Sequence, residues 1–258
     1  MRMITITRDV VSDVRVAISF LTRVPVSHPE GATPDNFVRA HRVFPLVGGA
    51  IGAAIGLTFA ALISIGLPGL AAAAVSLGVG ALATGALHED GLADMADGFG
   101  GGRDRAAKLE IMRDSRLGTY GALILLVAFV TKASALAALS GPAAVASLAA
   151  CHALSRSMLP LMVIALPAAR TDGLSATAGV PTHMVALIAV LSGLAVALLA
   201  LPWTFALSAA LVAAICALGV GSLAWRQIGG QTGDVLGAAE QVSETAILLL
   251  LAAALSGP

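Results

Sequence analysis

Long runs of apolar residues alternate with short polar segments along the whole chain. A helix needs about 20 mostly apolar residues to cross the bilayer core. By that measure, the predicted spans are residues 44–66, 70–87, 119–139, 143–166, 183–201 and 205–223, with a weaker seventh run at 245–255 that extends backwards through 237–243. The pattern predicts an all-α, polytopic integral membrane protein with about six to seven transmembrane helices. No long repeat or low-complexity linker divides the chain, so residues 1–258 are interpreted as a single membrane-embedded domain.

The connections between these runs alternate in character. Residues 66–69, 140–142 and 202–203 are tight, uncharged turns, whereas nearly all charge lies before residue 44 and in residues 88–118, 167–182 and 224–244. If every run crosses once, the charged and uncharged connections lie on opposite sides. Basic loops mark the cytoplasmic side, and six arginines precede the first run. We therefore expect a multi-pass protein of the cytoplasmic (inner) membrane with its polar loops facing the cytoplasm.

Composition narrows the range of partners. The chain is 58% hydrophobic and 12% charged with a mean hydropathy of +0.93, whereas a soluble domain carries about a quarter charged residues. The lipid bilayer is thus the predicted environment. The 15 basic and 15 acidic residues balance, which argues against a nucleic-acid partner because such proteins carry a basic excess. The oligomeric state stays open, homo-oligomers included.

The stretch HEDGLADMADGFGGG, residues 88–102, carries the densest chemistry. Asp90, Asp94 and Asp97 are spaced i, i+4, i+7 and share one face of a helix. Aligned carboxylates at a membrane boundary repel each other unless a cation lies between them. Oxygen ligands of this kind suit Mg²⁺, so the stretch predicts one or two Mg²⁺ ions held by Glu89, Asp90, Asp94 and Asp97. The alternative is a solvated acidic helix end paired with nearby arginines.

A second cluster, RDSRLGTYG at residues 113–121, follows shortly afterwards. Arginine forks bind phosphate oxygens, hydroxyls donate hydrogen bonds and lysine adds a point charge. The predicted substrate-binding residues here are Lys108, Arg113, Ser115, Arg116 and Thr119. Anchoring of a helix at the lipid headgroups explains the basic residues equally well.

A third cluster, GGQTGDVLGAAEQVSE at residues 229–244, precedes the last apolar run. Asp234 is a further candidate for substrate binding, because ionisable residues beside a span are functional candidates. The helix dipole alone accounts for Glu240.

Three ionisable residues lie within predicted spans and must face protein or water. His152 and Arg156 have the i, i+4 spacing of a structural hydrogen-bonded pair. Lys132 is expected to contact either a bound anion or an acidic side chain.

These motifs resemble the cobalamin synthase family over essentially the whole chain. The resemblance rests on HEDGLADMADGFGGG and KLEIMRDSRLGTYG, flanked by FLTRVPV and FPLVGGAIG near the N-terminus and GGQTGD-x-x-GA-x-E near the C-terminus. It implies a Mg²⁺-dependent membrane enzyme of late cobalamin biosynthesis. Such an enzyme transfers adenosylcobinamide phosphate from adenosylcobinamide-GDP to α-ribazole, or its 5′-phosphate, and releases GMP.

That chemistry agrees with the residues. Metal ions held by Asp90, Asp94 and Asp97, with Glu89 in reserve, would screen the pyrophosphate and stabilise the leaving oxygen. Asp114 is the predicted acceptor of the nucleophile's proton. Two other functions stay open. The stretch DGLA at residues 90–93 also resembles part of the motif of CDP-alcohol phosphotransferases, although Asp94 stands where that motif has arginine. A cation transporter is the other alternative, but it would place its carboxylates near mid-span.

Overall fold

The computed structural model describes residues 2–26, 34–171 and 179–255. Within these ranges the chain is helical and contains no strand. The helices are α1 (Arg2–Leu21), α2 (Pro34–Ala40), α3 (Phe44–Ser64), α4 (Gly69–Thr84), α5 (Leu87–Gly101), α6 (Arg105–Ile111), α7 (Thr119–Ala137), α8 (Gly141–Ser157), α9 (Leu159–Ala165), α10 (His183–Ala200), α11 (Trp203–Ile228) and α12 (Gly233–Leu255). One 3₁₀ turn, His41–Val43, joins α2 to α3.

Six helical stretches in the described residues are long and apolar enough to cross a membrane. They are Asp35–Ser64, Thr119–Ala137, Gly141–Ala165, His183–Ala200, Trp203–Ile228 and Gly233–Leu255. A seventh crossing results if α4 and α5 together form one bent span. The prediction of an all-α, multi-pass membrane protein with six to seven spans is confirmed.

The predicted span at 70–87 needs correction, because it is the first half of a broken pair. α4 ends at Thr84 and α5 leaves at an angle of 92°. The turn is made by Gly85 and Ala86, which both adopt left-handed backbone conformations with φ of 68° and 55°. Two such residues in succession redirect the chain sharply. Hydropathy does not detect this turn, since the apolar run continues through it.

The last span begins earlier than its apolar run. α12 starts at Gly233, so the predicted backward extension of the weak run is confirmed and reaches four residues further. Glu240 and Glu244 consequently lie inside the span, with only 0% and 2% of their surface exposed. The favourable effect of the helix dipole on acids near a helix start does not explain such burial.

Helices α3 and α8 pack through small residues. A methyl group added at Gly48 would lie 2.6 Å from the His152 carbonyl oxygen, and one at Gly56 would lie 2.5 Å from the Val145 Cα. Only glycine permits such close backbone approach, as is common between helices in lipid.

The polar connections meet at one end of the bundle, here called the polar end. The Ala169 amide donates to the Gln231 carbonyl and the Gln231 amide to the Pro167 carbonyl, both over 2.8 Å. Arg105 donates to the carbonyls of Ile228 and Ala169, each over 2.7 Å. The segments after α5, α9 and α11 are therefore fixed to one another, as the alternation of charged and uncharged connections predicts.

Candidate active site

The acidic face of α5 lies at the polar end and faces the start of α12. Asp90 and Asp234 line the same cavity, and Asp94 lies within electrostatic range of Asp90, Asp97 and Asp234. Asp234 comes 140 positions after Asp94 in the chain, so the fold brings together acids that the sequence places in separate clusters. The resulting set combines two carboxylates from one helix with one from another.

Two glycines make this approach possible. A methyl group at Gly91 would lie 3.0 Å from the Asp234 Cα and 3.3 Å from the Gly237 Cα. At Gly237, it would lie 3.2 Å from the His88 carbonyl oxygen. The backbones of α5 and α12 are thus in contact, and this crossing sets the separation between Asp90, Asp94 and Asp234.

Arg170 lies beside the acids of the polar end, and no sequence motif marked it as a candidate. Its Nη2 lies 3.3 Å from Asp234 Oδ2, which also accepts a hydrogen bond from the Thr232 hydroxyl over 3.1 Å. The Nε and Nη1 atoms of Arg170 are buried and have no hydrogen-bond partner among the described residues. Buried donors normally have partners, so these two nitrogens are available to an anion. The sequence signal that pointed to Arg170 was its position in a charged connection between two predicted spans.

Asp97 has a different role from its neighbours on the face. Its carboxylate accepts hydrogen bonds from the backbone amides of Gly118, over 2.7 Å, and Gly121, over 2.8 Å. These amides belong to the start of α7, where backbone donors lack helical partners. Asp97 therefore caps α7, and its burial needs no metal ion to explain it. Its prediction as a metal ligand stays a prediction without support from these contacts.

Glu89 points away from this face. It lines a second cavity of about 400 Å³ beneath α5 together with Lys132, His152 and Glu244. Successive helical residues are about 100° apart, so adjacency to Asp90 does not bring Glu89 to the same face. The structure therefore separates Glu89 from the acids with which it was grouped as a metal ligand.

The second cavity contains a buried network of charges. Lys132 donates to Glu244 over 3.0 Å and to Gln241 over 2.8 Å, and Arg156 pairs with Glu240 at 2.5 Å. Of the two partners foreseen for Lys132, the acidic side chain is the observed one. Arg156 also donates to His152 Nδ1 over 3.0 Å, which confirms the predicted hydrogen-bonded pair.

Part of this network also has the spacing of a metal site. Ligand atoms of His152, Glu240 and Glu244 all lie within 4.8 Å of one another. Arg156 and Lys132 already neutralise the two glutamates, however, and a cation would have to displace them. At the polar end, the ion pair described for the carboxylates joins Arg170 to Asp234. The oxygen atoms of those carboxylates are not grouped as closely as the ligand atoms of His152, Glu240 and Glu244. Mg²⁺ tolerates such spacing because it keeps several waters and takes substrate phosphates as ligands.

The connection between α6 and α7 meets the acidic face at Asp97, which accepts a hydrogen bond from the Gly118 amide. Arg113, Ser115 and Thr119 are exposed, and Lys108 donates to Gln227 near the end of α11. Among the described contacts, none joins these side chains to Asp90, Asp94 or Asp234. Their predicted roles in substrate binding stay predictions.

Asp114 and Arg116 pair with each other on the same connection. The Arg116 guanidinium donates to both carboxylate oxygens over 3.0 Å, and the Arg116 side chain is 88% exposed. These hydrogen bonds lower the pKa of Asp114 from 3.8 to about 2. A carboxylate with so low a pKa is a weak proton acceptor at neutral pH, so the geometry gives its proposed catalytic role no support.

The chain matches the sequence profile of a known protein family. The sequence profile described as cobalamin-5-phosphate synthase matches residues 13–252, which include every acid of the polar end. The chain belongs to this family.

Curated relatives match over nearly their full lengths. The chain is 46% identical over 247 residues to the adenosylcobinamide-GDP ribazoletransferase of Bradyrhizobium diazoefficiens, covering 95% of each chain. It is 42% identical over 252 residues to the enzyme of the same name from Mesorhizobium japonicum, covering 96% of each. No solved structure matches the chain significantly.

Proposed function

We propose that this cobalamin-5-phosphate synthase family member is an adenosylcobinamide-GDP ribazoletransferase. It transfers adenosylcobinamide phosphate from adenosylcobinamide-GDP to α-ribazole, or to α-ribazole 5′-phosphate, and releases GMP. Two relatives that match over 95% or more of their length carry that name. Family membership does not favour the CDP-alcohol phosphotransferase or transporter alternatives.

The observation that carries this proposal is the convergence of Asp90 and Asp94 on α5 with Asp234 on α12, next to Arg170. A pyrophosphate is anionic, and transfer of its phosphoryl group needs its charge neutralised and its position fixed. The polar end combines carboxylates for a divalent cation with an arginine that has two nitrogens without a hydrogen-bond partner in the part of the chain that the structure describes.

The donor set fits Mg²⁺, since hard carboxylate oxygens from two helices lie within electrostatic range of one another. Asp90, Asp94 and Asp234 would hold the ion or ions. When bound, Mg²⁺ neutralises phosphate oxygens and stabilises the charge that develops on the leaving group.

The protein's own groups then orient the reaction. Arg170, whose Nε and Nη1 have no hydrogen-bond partner among the described residues, would donate to phosphate oxygens, since guanidinium N–H groups form strong charge-assisted hydrogen bonds with phosphate. The acceptor's hydroxyl oxygen attacks the phosphorus attached to cobinamide, the bond between that phosphorus and the GMP oxygen breaks, and the hydroxyl proton passes to a carboxylate of the polar end. Thr232 and Arg170 keep Asp234 in place beside that reaction.

We further propose that the protein lies in the inner membrane with its polar end facing the cytoplasm. Arg105, Lys108, Arg113, Arg116 and Arg170 all lie in connections of that end, and basic connections are retained on the cytoplasmic side.

The test uses purified protein in detergent with adenosylcobinamide-GDP, α-ribazole 5′-phosphate and Mg²⁺. We expect GMP release that stops on chelation and returns when Mg²⁺ is restored. Asp90→Ala and Asp94→Ala should abolish release without affecting membrane insertion, whereas Glu110→Ala, which removes an exposed acid of α6, should not. Full activity in either aspartate variant would refute the site, and activity with a CDP-linked lipid in place of the corrinoid would refute the substrate.

A further inference from the structure

A cavity of about 180 Å³ adjoins the acidic face. It lies between the N-terminal helices and the crossing of α5 with α12. Asp90 and Asp234 form one side of it, and Phe20, Phe37 and Phe44 form another. Leu159 and Val163 of α9 close it from a third direction. One small cavity therefore combines an aromatic wall with two acids of the proposed transfer site.

The aromatic wall has a defined arrangement. Phe20 meets Phe37 edge to face with ring centroids 4.8 Å apart, and Phe44 stacks on His41 at 4.6 Å with an interplanar angle of 22°. These rings come from α1, α2, the 3₁₀ turn and α3 and hold one another in place. A wall of this kind suits a flat apolar ligand, which loses little conformational freedom on binding.

We propose that this cavity binds the heteroaromatic base of the acceptor, the dimethylbenzimidazole ring system of α-ribazole. The assignment rests on the proposed function, because it chooses among the chemical groups that the two substrates carry. It identifies a part of the site that lies beside the acidic face and that the acids alone do not form.

Size and polarity exclude the other groups. A cavity of about 150 Å³ holds one benzene ring, so this one, at about 180 Å³, is far too small for a corrin ring. Guanine presents an exocyclic carbonyl, an amino group and a ring N–H, and the phenylalanine side of the cavity has no hydrogen-bond partner for them. His41 offers no proton donor to guanine, because its Nδ1 is directed at the carbonyls of Phe37 and Val38, at 3.0 and 3.2 Å.

In α-ribazole, one of the two ring nitrogens of dimethylbenzimidazole carries the ribose. The rest of the ring system is hydrocarbon except for the second nitrogen, which is free. That nitrogen needs a donor, and His88 is a histidine that lines the cavity. Arg156 Nη2 lies 3.3 Å from His88 Nδ1. Since arginine is always a donor, Nδ1 accepts and the ring proton of His88 is on Nε2.

The position of the cavity also suits the reaction. A base held against the phenylalanines leaves its ribose on the side of Asp90 and Asp234, where the acceptor hydroxyl must approach the phosphorus. The same placement would orient the nucleophile, which is a major source of rate enhancement.

The experiment fills the cavity. Val163→Phe should raise the KM for α-ribazole by about tenfold or more, equivalent to about 1.4 kcal/mol, while the KM for adenosylcobinamide-GDP stays within about twofold. Leu161→Phe is the matched control, because Leu161 lies on the same short helix but is 41% exposed, and it should change neither constant. Calorimetric titration of α-ribazole without donor should give the same loss in Kd.

The outcomes separate the two proposals. If wild-type protein releases no GMP, the proposed function fails; if it releases GMP and Val163→Phe changes neither KM, the cavity assignment alone fails. A rise in the KM for adenosylcobinamide-GDP instead would identify guanine as the occupant and overturn the assignment. Should Val163→Phe not fold, two measurements still decide. Phe37→Leu should weaken α-ribazole binding, and a benzimidazole riboside without its methyl groups should bind wild type roughly tenfold more weakly. Unchanged Kd values in both would refute the proposal.

Discussion

Lys132 on α7 and Glu244 on α12 form an ion pair of 3.0 Å inside the membrane-spanning bundle. Lys132 lies thirteen residues after Thr119, the first residue of α7, or about 20 Å along the helix. Both side chains are at most 6% exposed. An ion pair at this depth joins two spans and is almost completely buried.

Removal of one partner should therefore be costly. We expect Lys132→Met to destabilise the fold by about 3 kcal/mol, because Glu244 would be left as a buried charge. Lys132→Met combined with Glu244→Gln should recover much of the loss. Thermal unfolding in detergent of both single variants and the double variant measures the coupling. Strict additivity of the two effects would contradict this account.

Gly91 should be required for activity more than for folding. A side chain there collides with the backbone of Asp234, and we expect Gly91→Ala to move α5 relative to α12. A displacement of about 1 Å between catalytic groups can reduce the rate by about a hundredfold. GMP release at saturating substrate is the measurement. Gly78→Ala is the control, since a methyl group there meets nothing within 4 Å, and equal activity of both variants would refute the role of the crossing.

Asp97 and Asp90 should respond differently to the loss of charge. Asp97→Asn leaves one oxygen to accept two backbone amides, so we expect a loss of stability of about 1 kcal/mol, as for other helix caps. Asp90→Asn should leave stability unchanged and remove the Mg²⁺-dependent increase in melting temperature. Melting curves with and without Mg²⁺ distinguish the two. If Asp97→Asn alone abolished the Mg²⁺ effect, Asp97 would be a ligand after all.

Arg170 should act through its fork and not only through its charge. Arg170→Lys keeps a positive charge beside Asp234 but loses the planar set of donors. We expect kcat/KM for adenosylcobinamide-GDP to fall by about tenfold or more with lysine and further with glutamine. Arg226→Gln, an exposed arginine at the end of α11, is the control. Wild-type kinetics in Arg170→Lys would show that charge alone suffices.

The amino-acid sequence by itself determined the membrane class, the number of spans and the common end of the polar segments. These follow from local quantities, namely the length of apolar runs and the distribution of charge between them. The helical repeat likewise placed Asp90, Asp94 and Asp97 on one face. It did not detect the turn at Gly85 and Ala86, because backbone conformation at two residues barely alters hydropathy.

Only the tertiary structure decided which acids act together. Asp97 is bound by the amides of α7, Glu89 faces the buried cavity, and Asp234 replaces them beside Asp90 and Asp94. The physical reason is that Gly91 and Gly237 let two helices touch. Such a contact between residues far apart in the chain leaves no periodic pattern, and neither does the aromatic wall that α1, α2 and α3 bring to the same acids.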